Sequence, residues 1–225
     1  MTFSCRLGEA FPDFFCMTTQ GEFSFHEYLT SNPDAPWTLL FSHPADFTPV
    51  CTTEIGRSLK LLPRFTELGV KLIGISCDSL DSHRRWLKDI LFIEEMKGDS
   101  IPFPIISDPD RVIVQLLGML DSSDLTSALP VRSVFLIDKD FRLRLAFLYP
   151  SVVGRSYEEI IRAIEGVIIT QREKGLATPV EWKSGDDFLI LPEISTDNAK
   201  KRFGNIETLE LPSGLEYMRF LRMGE

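Results

Sequence analysis

The residue of this chain best placed to do chemistry is Cys51. It follows a short apolar segment, Trp37–Ser42, and a loop bracketed by Pro44 and Pro49, and it opens a helical pattern. The first turn of a helix presents unpaired N–H groups and the positive end of the helix dipole, so it favours an anion. A thiolate is such an anion, and the thiolate rather than the thiol is the nucleophile. Thr48 can offer a hydroxyl to the sulfur or to a bound oxygen, Pro49 and Val50 set the turn, and His43 and Pro44 close the other side of the loop. A nearby cation would serve both the thiolate and the charge that develops on a leaving group. The residues alone do not say which Arg comes close, and Arg132, at the start of a predicted strand, is one candidate.

Ionisation alone supplies a bounded gain. A free thiol of pKa about 8.5 is a few per cent ionised at pH 7, and lowering that value to about 6 gains roughly 30-fold. Any larger acceleration requires donors aimed at the transition state.

The elements that must position these residues can be read from pattern. Trp37–Ser42 and Val70–Ser76 read as buried strands. Between them, residues 51–68 carry Ile55, Leu59, Leu62 and Phe65 at helical spacing, with a kink expected at Pro63 and a stop at Gly69. Asp81 or Ser82 can cap a helix running to Ile93. A short strand over 103–107 and a short helix over 111–120 come next, then a hairpin of 133–137 and 143–149, and a periodic helix over 157–173. Alternating strands and helices predict a largely parallel sheet. Past Gly175 the chain is rich in Pro and Gly and reads as a smaller C-terminal extension.

Bulk properties exclude several functions. The chain has 225 residues, with 24 basic and 33 acidic side chains for a net charge of -9. That balance argues against broad binding to nucleic acid or anionic membranes. No apolar run approaches the ~20 residues that span a bilayer. None of the four cysteines, Cys5, Cys16, Cys51 and Cys77, forms a C-x-x-C pair or stands at metal-ligand spacing from a histidine. Neither a metal nor an organic cofactor is expected. The opening residues lack a charged-then-apolar leader, so a reducing, cytoplasmic compartment is expected.

The segment Pro44-Ala45-Asp46-Phe47-Thr48-Pro49-Val50-Cys51 matches the pattern P-x-x-x-T-x-x-C. Together with Phe41-Ser42-His43 before it, Thr52-Thr53-Glu54 after it, Leu148-Tyr149-Pro150 and Ala177-Thr178-Pro179-Val180-Glu181-Trp182, it resembles the one-cysteine peroxiredoxins of the peroxiredoxin-6 type. The likeness covers nearly the whole chain. It implies a thioredoxin-like α/β fold, a central mixed sheet flanked by helices, over 1–174, with a smaller dimer-associated extension over 175–225. It implies reduction of hydrogen peroxide and organic hydroperoxides through a cysteine sulfenic acid, which an external thiol such as glutathione or a thioredoxin-like protein then restores.

Carried over by position, the resemblance makes Cys51 the peroxidatic thiol, with Thr48 bonding the peroxide and Pro44 shielding the sulfur. Arg132 becomes the cation beside the thiolate and Glu54 its orienter, with His43 and Arg155 completing the pocket. It also implies a homodimer paired along the edge strand around Leu145. No Cys follows Cys77, so a resolving cysteine is absent, and Cys5, Cys16 and Cys77 are expected to be structural or neutral. Some relatives also hydrolyse phospholipids through Ser, His and Asp. His26 and Asp140 match two of those positions, but Pro36 stands where the serine would be, so that activity is not expected. From the residues alone, a redox sensor switched by Cys51 oxidation is the rival reading.

Overall fold

Strand β3, Trp37–Ser42, runs through the middle of a seven-stranded sheet and delivers the chain to the Cys51 loop at its carboxyl end. The computed structural model describes residues 6–121 and 129–224. Two compact units emerge, Met1–Tyr157 and Glu158–Glu225, and the composition change near Gly175 falls inside the second.

In the first unit the elements follow in order: β1 Phe15–Thr18, β2 Gly21–Ser24, α1 Phe25–Thr30, β3, α2 Pro49–Glu67, β4 Val70–Ser76, α3 Leu80–Ile93, β5 Ile105–Ser107, α4 Val112–Leu116, β6 Arg132–Ile137 and β7 Leu143–Tyr149. The sheet order is β2-β1-β5-β4-β3-β6-β7. Only β3–β4 and β4–β5 pair in parallel, and the other four pairs are antiparallel. The expectation of a largely parallel sheet is therefore corrected to a mixed one. Strand–helix alternation holds only from β3 to β5, and the hairpins at each edge run antiparallel, as tight turns require. Phe25, Leu40, Ile73, Ile75, Ile106 and Phe135 are among the buried side chains of the core that fixes the strand register.

Local chemistry explains the boundaries. Thr48 is the N-cap residue of α2, and Pro49 is its first helical residue, where a missing N–H costs nothing. Pro63 lies within the helix, and Gly69 ends it at φ +67, a conformation that suits glycine. Ser79 caps α3, its hydroxyl accepting from the Ser82 amide, so the cap lies upstream of the expected Asp81 or Ser82. Helix α4 is shorter than the expected 111–120. Arg111 is its N-cap residue, and the Asp108 carboxylate upstream accepts from its first three amides, Val112, Ile113 and Val114.

The second unit holds most of α5, Tyr157–Arg172, and a four-stranded antiparallel sheet. Its order is β10-β11-β9-β8, from β8 Leu176–Ala177, β9 Phe188–Ile190, β10 Ile206–Thr208 and β11 Arg219–Leu221, with α6 Thr196–Phe203 between β9 and β10. Trp182, Phe188 and Ile190 center its own small core.

Candidate active site

Antiparallel pairing of β6 with β3 decides what lies beside Cys51. Phe41 pairs with Val134, so the carboxyl end of β3 meets the amino end of β6. The two ends are locked by Ser42, whose hydroxyl lies 2.6 Å from that of Ser133 and accepts from the Ser133 amide at 3.0 Å. Arg132, the next residue back along β6, is thereby brought to the first turn of α2, where Cys51 sits buried.

Arg132 Nη1 donates to the Cys51 sulfur at 3.3 Å and to Glu54 Oε2 at 2.7 Å. Its Nε and Nη2 donate to the Ser151 carbonyl at 2.9 and 2.6 Å, which fixes the plane of the guanidinium. Glu54 is one helical turn past Cys51 and is buried. Its carboxylate also accepts from Arg155, through the backbone amide at 2.8 Å, Nε at 3.2 Å and Nη2 at 2.7 Å. Arg155 Nη1 then reaches the carbonyls of Ser42 and Ser133, and its guanidinium lies 5.2 Å from the Phe41 ring centroid. Two guanidiniums and one carboxylate are thus desolvated together, and the two Nη contacts to Glu54, at 2.7 Å, have the length of charge-assisted hydrogen bonds. One formal positive charge is left over beside the sulfur.

The loop before α2 supplies the other predicted residues. Pro44 is buried, and Thr48 is half-buried. The Thr48 hydroxyl donates to the Ala45 carbonyl at 2.9 Å and makes no cap bond to the helix. His43 is buried, with Nε2 3.0 Å from Asp46 Oδ1. Burial pushes the Asp46 carboxyl up, but the hydrogen bonds it accepts from His43 and His83 outweigh that and hold the carboxyl below its ordinary range. The carboxylate accepts, so His43 Nε2 and His83 Nδ1 both donate. Burial also holds His43 below the ordinary histidine value, against the pull of Asp46. The neutral ring then carries a buried lone pair on Nδ1 that has no hydrogen-bond partner among the described residues.

A family pattern described as the AhpC/TSA family matches residues 7–146. A 1-Cys peroxiredoxin of Dirofilaria immitis is 44% identical, covering 98% of each chain. The chain belongs to the AhpC/TSA family, among the one-cysteine peroxiredoxins. It is a peroxiredoxin, a thiol-dependent peroxidase with a thioredoxin-like fold. A solved cysteine-to-serine variant of peroxiredoxin 6 from Arenicola marina superposes with a TM-score of 0.90 at 40% identity, covering 98% of this chain and 99% of that one. A yeast mitochondrial 1-Cys peroxiredoxin, whose structure concerns thiol resolution by the glutathione and thioredoxin systems, superposes at 0.83 with 39% identity over 96% and 98% of the two chains.

Among the described residues, the other two cysteines of this peroxiredoxin, Cys16 and Cys77, lie apart from that cluster. Cys16 is fully buried, and burial pushes its thiol up to about 12. Cys77 is half-buried at the end of β4 rather than a fully enclosed core residue, and burial and Asp108 raise its thiol to about 11. Cys5 lies outside the described residues. Of the positions matched to phospholipid hydrolysis, His26 bonds the Phe11 carbonyl and stacks on Phe141, and Asp140 pairs with Lys139 at 2.8 Å in the β6–β7 turn. Pro36 precedes β3 and carries no hydroxyl.

Sequence reasoning singled out the residues of the Arg132–Glu54–Arg155 cluster but gave no role at the site to Asp46, Ser82 or His83. Asp46 stands inside the loop motif, where its place beside His43 was a usable signal. His83 lies on a different helix and has no local signature. His43, Asp46 and His83 are also the one grouping of metal-ligand type among the described residues. Its nitrogen–oxygen separations are those of direct hydrogen bonds.

Proposed function

We propose that the Cys51 thiolate is the peroxidatic nucleophile and that the residues gathered around it divide the work of peroxide reduction. The sulfur attacks the terminal peroxide oxygen. The O–O bond breaks, the sulfur becomes a sulfenic acid, and water or an alcohol leaves with a proton. Arg132 stabilises both the thiolate and the charge spreading along the breaking bond. Glu54 orients Arg132, and Arg155 holds Glu54 in turn. Thr48 bonds the bound peroxide, Pro44 shields the sulfur from bulk water, and His43 completes the pocket with its unpaired nitrogen. The observation that carries this reading is the 3.3 Å contact from Arg132 Nη1 to Cys51 Sγ, made inside a buried cluster with one surplus positive charge.

We take the sulfenic acid to be restored by an external thiol, a reading supported by the burial that raises the Cys16 and Cys77 thiols. One thiol condenses with the sulfenic acid, releasing water and leaving a mixed disulfide. A second thiol then attacks the outer sulfur of that bond, forming a disulfide with the first thiol and releasing the Cys51 thiolate. We take glutathione or a thioredoxin-like protein as the donor, and no metal or organic cofactor takes part. We place the enzyme in the cytoplasm as a homodimer paired along β7, the edge strand of the large sheet. Phospholipid hydrolysis is not proposed, for want of a hydroxyl at residue 36. The test is a reductant screen that follows hydrogen peroxide consumption with dithiothreitol, glutathione, or thioredoxin and its reductase. Repeated turnover with at least one donor is expected. A single stoichiometric oxidation with every donor would replace the peroxidase reading with that of a sensor.

A further inference from the structure

The loop that carries Pro44 and Thr48 is held by a side chain that touches neither sulfur nor substrate. Asp46 is buried at its center. Its carboxylate accepts from His83 Nδ1 at 3.0 and 2.8 Å and from the Ser82 hydroxyl at 2.8 Å, both on the first turn of α3. It also accepts from His43 Nε2, and the Asp46 amide donates to Asp78 Oδ2 at 3.0 Å. Asp78 in turn accepts from the Ser76 hydroxyl at the end of β4. On its far side, the His83 ring meets the Ile106 carbonyl at 3.3 Å. The loop and α3 therefore meet at one carboxylate, while β4 is tied to the same residue through its amide and Asp78, and β5 through the far side of the His83 ring.

Something must hold this loop in shape, because the next residue, Phe47, has φ +54 and its side chain is 51% exposed. A bulky residue in the left-handed region is strained, and such strain persists only where the surroundings over-determine it. The exposed Phe47 ring gives little packing to supply that. The anchors lie on either side of it: Asp46 on α3, and Thr48 at the cap of α2.

We propose that Asp46 and His83 are positioning residues for peroxide reduction, a latch that ties the loop to α3, holds Phe47 left-handed, and so sets where Thr48 and Pro44 stand over the sulfur. This rests on the peroxidase reading above, in which Thr48 and Pro44 meet the peroxide. The latch lies apart from the Arg132–Glu54–Arg155 cluster. Losing His83 should therefore misplace the peroxide while leaving Arg132 against the sulfur and the Asp46–His43 bond in place.

The test compares wild type with His83→Phe, which fills the ring's volume without its donor, and His83→Asn, which returns a donor near the Nδ1 position. Three quantities are read: the rate of a single turnover with hydrogen peroxide, the rate of Cys51 alkylation by iodoacetamide, and amide exchange over residues 43–53. In His83→Phe the peroxide rate should fall about 10- to 100-fold, the scale of an ångström's misplacement. Alkylation should be unchanged or faster, and exchange in 43–53 should quicken at least about tenfold relative to the β4 amides. His83→Asn should recover most of each change. Equal losses in the peroxide and alkylation rates, or unaltered exchange, would overturn the latch. If His83→Phe fails to fold, Asp46→Asn must show the same split in weaker form, and its absence would be equally decisive against the proposal. Should the wild-type protein not consume peroxide, the peroxidase reading fails, and the loop exchange by itself still decides whether the latch exists.

Discussion

Arg132 Nη1 lies 3.3 Å from the Cys51 sulfur and 2.7 Å from a Glu54 oxygen, so a single nitrogen of one guanidinium serves the nucleophile and the carboxylate that orients it. Strand pairing produces this arrangement: β3 ends at the Cys51 loop, and β6 begins, antiparallel to it, with Arg132. The chemistry at the sulfur is therefore coupled to the register of the central sheet.

Removing that cation separates its two effects. Arg132→Met should slow peroxide reduction at pH 7 by well over the roughly 30-fold that thiol ionisation alone can supply. Raising the pH above the thiol's titration restores the thiolate but not the missing donor. Rates of a single peroxide turnover from pH 6 to 10 check this. Full recovery at high pH would confine Arg132 to an ionisation role.

Glu54 stabilises the fold as well as the site. Its carboxylate and the two guanidiniums are almost wholly buried. Glu54→Gln leaves both cations without a counter-charge, and removing one partner of a buried pair costs about 3–5 kcal/mol. Urea unfolding should show a loss of that size together with slower peroxide reduction. An unchanged midpoint would mean the cluster is more hydrated than its burial indicates.

Much of this was legible in the sequence because its signals are local. The apolar β3 and β4, the helical spacing after Cys51 and the hairpin turn at residues 138–140 each mark their own element. The N-terminal hairpin and α1 were missed. Yet Ser24-Phe25-His26-Glu27 spells a capping box, and the structure forms it in full. The four-stranded sheet of the second unit was illegible for a different reason. Its strands are only two or three residues long, too short to display a period. In the site, Arg132 was a candidate from its place at the start of a strand, and resemblance to a family pattern fixed its role and added Glu54 and Arg155. The tie between Asp46 and His83 joins residues far apart in the chain, and only the folded arrangement reveals it.

Stability should fall steadily toward acid. His43 is held below its ordinary value, so below about pH 6.5 the unfolded chain binds a proton that the native ring resists. Asp46 is likewise held low, and its contribution begins to be lost as the pH drops below about 3.9 and through its lower native value. Both groups act in the same direction: stability is full near neutrality and declines on acidification. Urea midpoints at pH 7, 5.5 and 4.5 should descend, and His43→Asn should flatten the upper part of that slope. A midpoint that rises between pH 7 and 5.5 would contradict the assignment.

Assembly is tested at β7. It is the edge strand of the large sheet: Gly8 and Glu9 bond its Leu143 end, no further strand pairs with it among the described residues, and Leu148 on it is exposed. Two-fold pairing along this edge puts residue 145 opposite its own copy. Sedimentation at micromolar concentration should show a dimer, and Leu145→Arg should dissociate it by setting like charges across the axis. A wild-type monomer would rule the pairing out.

The most direct test of the whole account is peroxide turnover with dithiothreitol in Cys51→Ser beside Cys77→Ser and Cys16→Ser. The account predicts that Cys51→Ser consumes no hydrogen peroxide and forms no sulfenic acid, because a neutral hydroxyl cannot replace the thiolate that Arg132 faces. The other two variants should turn over at close to the wild-type rate. A folded Cys77→Ser or Cys16→Ser that lost activity, or a Cys51→Ser that kept it, would contradict the assignment of the nucleophile.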